Sequence, residues 1–129
     1  MKTPTEIKID LYRHITPSAL AEAITGNVSY TGRETDKEDC CISVQDSDND
    51  QIQTAFVYVN VYVPKIPNNG RKVDNVPRLK VLEKLCEQVL QTGRGETFRF
   101  ELKKQLTREV QGKDESVISN KIEYSQFNG

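Results

Sequence analysis

Tryptophan is absent from the 129-residue chain, and histidine and methionine occur once each. The lone histidine, His14, has no partner visible in the sequence, so it reads as a structural or exposed side chain and not as a general base. Cysteine occurs three times, with Cys40 and Cys41 adjacent. The odd count argues against a disulfide framework, and without a CxxC pair no zinc or redox motif is supported. Three reduced thiols are expected. No apolar segment approaches the about 20 residues of a membrane-spanning helix, and the start "MKTPTEIKIDLYRHI" has no continuous apolar region. A soluble, unexported protein is therefore expected.

An excess of one charge is also missing. Eighteen Lys and Arg face nineteen Asp and Glu, for a net charge of -1 and a pI near 5.9. No global field draws the chain to nucleic acid or to an anionic membrane, although a local basic patch is compatible with that balance. Nucleic acid and membrane are not expected partners. Internal repeats and low-complexity segments are absent too.

What is present is a mixture of two hydrophobic periods. Thr3-Pro4-Thr5-Glu6 reads as a helix start, with a threonine cap, proline in the first turn and glutamate three residues on. Ile7, Leu11 and Ile15 recur at helical spacing, and a second start at Thr16-Pro17-Ser18 leads to Gly26, a residue suited to a left-handed cap. A bent helical segment over residues 4–25 is predicted. The period then becomes two, with short strands at 27–33 and 40–46. The longest is 53–63, where Ala55, Val57, Val59, Val61 and Val63 share one face and Phe56, Tyr58, Asn60 and Tyr62 the other. Pro64, Pro67 and Asn68-Asn69-Gly70 end it. Residues 65–75 read as a polar loop.

"VPRLKVLEKLCEQVLQTG" predicts a helix lined by Leu79, Leu82, Cys86 and Val89, with Gly93 at its end. "TFRFELK" and "SVISNKIEYSQF" predict terminal strands, joined by a polar stretch that turns at Gly112. The order is α-β-β-β-α-β-β. We expect one α+β domain over residues 1–129, a mostly antiparallel sheet of about four to six strands with helices on one face. The valine row should face the helices.

The candidates for chemistry fail one by one. Asp46, Asp48 and Asp50 alternate like calcium ligands, but the sixth position is Gln51 and the twelfth Val57, where an EF-hand loop needs glycine and glutamate. A solvated turn is the expectation, with a weak cation site kept open. Cys86 falls on an apolar helical face, and one of Cys40 and Cys41 should point inward. "GRGE" at 93–96 follows a helix, so it lacks the helix N-terminus of a phosphate cradle and reads as a flexible turn. Arg71, Lys72, Arg78 and Lys80 form one basic cluster, and Lys103, Lys104 and Arg108 another. Both are interleaved with acids and read as solvated faces. No catalytic, cofactor or metal residue is expected, and the chain is not expected to be an enzyme.

The layout as a whole, from Ile7 to Phe127, resembles a known group. "VSYTGRE", "CCISV", "AFVYVNVYVP", the helix "RLKVLEKLCEQVL" and the closing "ISNKIEYSQF" are similar in order and texture to the small tail-completion proteins of tailed bacteriophages and prophages, the tail-terminator-like group. The resemblance implies an α+β fold and a homo-oligomeric ring that completes the tail and joins it to the head. It implies partners among tail tube and head–neck proteins, and a location in the bacterial cytoplasm during assembly and then in the virion tail. It carries no catalytic residues. Phe56, Tyr58, Tyr62, Arg71 and Lys72 are the candidate subunit interface, with a further element of the same chain as the alternative cover for the aromatics. Another connector or neck component fits the same features. A small ligand- or metal-binding cytosolic domain is the reading from a different class.

Overall fold

A computed structural model describes residues 2–45 and 54–127. The acidic stretch 46–50 and its calcium question lie outside those residues. Two helices open the chain. In α1 (Pro4–Ile15) the Thr3 hydroxyl accepts from the Glu6 amide at 3.2 Å while the Glu6 carboxylate accepts from the Thr3 amide at 3.1 Å. That reciprocal pair satisfies two of the donors a helix start leaves unpaired. Ile7, Leu11 and Ile15 are buried on one stripe. After a turn, α2 (Ala19–Ala23) buries Leu20. Gly26 is not a left-handed cap, since among the described glycines Gly32, Gly70 and Gly112 have positive φ and Gly26 does not. It is required for space: a Cβ there would lie 2.1 Å from Asp39 Oδ1.

The strand expected at 27–33 contracts to β1 (Val28–Ser29). Past it, side-chain hydrogen bonds claim the backbone amides that a ladder would use. β2 (Cys40–Val44) runs parallel to β1 and antiparallel to β3 (Thr54–Pro64). The predicted polar loop is folded as a hairpin, β4 (Ile66–Asn68) and β5 (Arg71–Val73). Asn69 and Gly70 both have positive φ, 52° and 79°. That is the mirror-image turn whose twist matches a two-residue hairpin, and Asn-Gly is its strongest sequence signal.

Helix α3 (Val76–Leu90) follows, capped by the Asn75 side chain. Its buried stripe is Leu79, Leu82, Cys86 and Leu90, with Val89 partly buried beside it. Gly93 does not end the helix but lies within a short strand, β6 (Thr92–Arg94). β7 (Phe98–Glu109) runs through the stretch read as polar linker, and β8 (Glu115–Gln126) closes the chain. The main sheet has the order β1-β2-β3-β8-β7-β6, antiparallel except for β1–β2. The fold is α+β with strands dominating, and β3 is one of its two central strands.

The valine row of β3, the inward residues of β8 and the apolar stripes of α1 and α3 meet in one buried cluster. Val57, Val59 and Val61 are fully buried, and each contributes on the order of 1.5–3 kcal/mol by leaving water. Between Leu102 and Lys104 the β7–β8 register slips by one residue. Side chains alternate across a strand, so this bulge reverses the alternation. Phe100 and Leu102 point at the core before it. Gln105 and Thr107 do so after it, and Leu106 is turned out, 47% exposed.

Candidate interaction surface

The sheet face opposite the helices carries the aromatics of β3. Phe56, Tyr58 and Tyr62 are each half-buried there, and among the described residues side chains from β8, from the β1–β2 loop and from Gln45 lie against them. Lys121 Nζ, from β8, sits 4.4 Å from the Phe56 ring centroid, and the Arg33 guanidinium lies 4.4 Å over Tyr62. The Tyr58 hydroxyl donates to Gln45 at 3.4 Å. Cations on aromatic faces hold these rings without removing them from solvent. Arg71 and Lys72 lie on a different sheet, exposed on β5. The five candidate interface residues therefore form two patches.

Arg33 belongs to a polar network that the sequence did not disclose. Asp39 is fully buried and accepts five hydrogen bonds: from the amides of Asn27, Glu34 and Thr35, the Thr35 hydroxyl and Arg33 Nε. Burial alone would raise its pKa. The Asn27 amide, the Thr35 hydroxyl and amide and the Arg33 guanidinium outweigh that and hold the carboxyl well below the usual carboxylate range. Arg33 also donates to Glu115 Oε1 at 2.7 Å and to the carbonyls of Thr35 and Lys37. The loop between β1 and β2 is thus wrapped around one carboxylate and tied to the first residue of β8.

A second tie involves Glu38 and Arg78. The Arg78 fork donates from Nε at 2.7 Å and from Nη2 at 2.8 Å to the two carboxylate oxygens, and Nη2 also reaches the Ala23 carbonyl. This two-point pairing fixes α3 against the end of α2. The expected cluster of Arg71, Lys72, Arg78 and Lys80 is divided accordingly, since Arg78 is a structural clamp. In the other cluster Lys103 pairs with Glu101 and, at 3.8 Å, with Glu123. Lys104 and Arg108 have no ion pair among the described residues.

His14 Nε2 donates to the Val89 carbonyl at 2.8 Å, and its ring meets Phe100 edge-on at 4.8 Å between centroids. It joins α1 to α3. Cys40 is buried and Cys41 half-buried, one inward and one outward as expected. Burial pushes the Cys40 thiol well above its ordinary value, Cys41 up to about 11 and Cys86 up to about 12. Such thiols hold little thiolate at neutral pH, so they are poor nucleophiles. Among the described residues no group of three His, Cys, Asp or Glu side chains could hold a metal ion. No helix among them is long and apolar enough to cross a membrane.

"GRGE" is not a loose turn. A Cβ on Gly93 would lie 2.2 Å from Phe100 Cζ, and one on Gly95 2.2 Å from Phe98 Cε1. The glycines make room for rings that lie against the backbone of their own sheet. The signal was present as two glycines beside two phenylalanines, but the pairing needs the β6–β7 register to be known.

No family model, curated protein or solved structure matches the chain. The functional reading therefore rests on the surfaces themselves.

Proposed function

We propose that this protein is a non-enzymatic assembly subunit of a tailed phage or prophage, acting as a homo-oligomeric ring that completes the tail and joins it to the head. The observation that carries the reading is the β4–β5 hairpin. It forms a two-stranded sheet of its own, and every residue of β4, with Arg71 and Lys72 of β5, is exposed. An isolated two-stranded hairpin is marginal in water and gains stability by lying on another surface. Ile66 is 39% exposed on it, an apolar side chain suited to contact rather than to solvent.

The half-exposed aromatics of β3 supply the second patch. A ring needs two different patches on each copy, one meeting the other around the axis. The hairpin of one copy against the outer face of the next satisfies that requirement with residues from both. The partners in this reading are further copies, the tail tube and head–neck proteins.

Electron microscopy of purified tail tubes mixed with the protein tests this. Rings capping one end of the tubes are expected. Tubes with bare ends under conditions where the protein is folded would contradict it.

A further inference from the structure

Arg94 on β6 and Arg99 on β7 are register partners, and Ser125 on β8 is the next residue across. We propose that this row binds the phosphate of a compact, hydroxyl-bearing phosphate monoester. Three features point there. Like charges directly opposite one another across a ladder oppose pairing. On the same face Glu101 and Glu123 are also opposed, and Lys103 answers both. The two arginines have no carboxylate within ion-pair distance among the described residues. An anion from outside would occupy the place that Lys103 fills for the glutamates.

The second feature is shape. A groove of about 310 Å³ is lined by Arg94, Arg99, Ser125, Gln126 and Phe127. It adjoins a recess of about 580 Å³ that shares Arg94, Arg99 and Ser125 and continues to Thr92, Glu101 and Glu123. The third is orientation. The Arg94 guanidinium stacks over the Phe127 ring at 5.4 Å, which steadies its fork beside the groove.

The chemistry selects the ligand. A phosphate monoester carries roughly -1.5 to -2 charge at pH 7, matching two guanidinium groups, whose planar forks fit its oxygens. The Ser125 hydroxyl is a further donor in the row. At the far end the Glu101 and Glu123 carboxylates accept hydrogen bonds and repel a second phosphate. Hydroxyls on the ligand's body meet them, and a polyphosphate or a nucleic-acid strand is disfavoured. Glu123 is the register partner of Phe56, so the recess borders the aromatic patch, and binding to it is read separately from assembly.

Titration calorimetry of the full chain with glycerol 3-phosphate tests it, with Arg94→Gln, Arg99→Gln and the neighbouring Lys104→Gln in parallel. Circular dichroism confirms that each variant is folded. Saturable binding is expected, weakened at least about tenfold by either arginine change and unaltered by Lys104→Gln. No saturable heat, or Arg99→Gln binding as tightly as the parent, overturns the site. Inorganic phosphate should bind more weakly than glycerol 3-phosphate; equal affinity overturns the role given to the glutamates. Tighter binding of a single-stranded oligonucleotide, falling steeply with salt, overturns the monoester in favour of nucleic acid.

Discussion

Arg33 Nε donates to the fully buried carboxylate of Asp39 at 3.0 Å, and the same guanidinium spans the loop to Glu115. Replacing Asp39 with Asn keeps the shape but leaves Arg33 short of a counter-charge. It also turns an amide donor toward at least one of the donors now satisfied. A loss of about 3 kcal/mol is expected from Asp39→Asn, as for other broken buried pairs. Lys103→Gln, at an exposed and solvent-screened pair, should be close to silent by comparison. Urea denaturation of the two variants measures the contrast.

Acid stability follows from the same group. The folded Asp39 carboxyl is held below its unfolded value of about 3.9. Its contribution is therefore fully present above that value and is lost as pH falls toward the depressed folded pKa. Melting temperature should decline below about pH 4 in the parent. The decline should be shallower in Asp39→Asn, which has no carboxylate to protonate there. Parallel slopes in the two proteins would remove Asp39 from the account.

Gly93 faces Phe100 across β6 and β7, with no room for a methyl group. Gly93→Ala should destabilise by about 1–3 kcal/mol through overpacking. Combining it with Phe100→Leu should cost less than the sum of the single changes, because both act on one contact. Thermal melts of the two single variants and the double variant give the coupling.

Most of the framework was legible because its elements follow a single period. The Thr3–Glu6 capping pair, the Leu79–Cys86 stripe and the valine row of β3 each lie where local chemistry put them. The errors arose where long-range contacts override the pattern. Asn27 to Arg33 alternates well enough for a strand, yet Asp39 recruits the loop that follows β1. Residues 103–109 look like linker because Leu106 is the one apolar residue among them. Gln105 and Thr107 are nonetheless inward, bonded to Asn120 and Glu83. The hairpin at 66–73 turns on Asn69-Gly70, a pair that also reads as the stop of β3. Of the candidate interface, the aromatics followed from alternation, whereas their cation covers come from β8 and from the β1–β2 loop.

The bulge at Lys103 makes a sharp test of that register. Deleting Lys103 removes the extra residue, leaving Lys104 opposite Lys121 and Gln105 opposite Asn120, so Gln105 and Thr107 stay inward and Leu106 outward. The bonds to Asn120 and Glu83 are kept. The deletion should therefore be tolerated, with a melting temperature within a few degrees of that of Lys103→Gln, which leaves the bulge in place. A loss of about 2 kcal/mol or more in urea denaturation, the scale of stranding buried polar groups, would contradict that register.

The hairpin carries the assembly reading, so it can be altered without touching the core. Replacing Ile66 with Ser and Arg71 and Lys72 with Glu should leave the melting temperature within a few degrees, as for exposed sites. The same variant should lose the ability to form rings.

Sedimentation velocity across a concentration series, with and without tail tube protein, tests the central claim most directly. The parent should form one discrete species of several subunits, and the hairpin variant should remain monomeric under the same conditions. A parent that stays monomeric throughout, or a hairpin variant that assembles as well as the parent, would contradict the account.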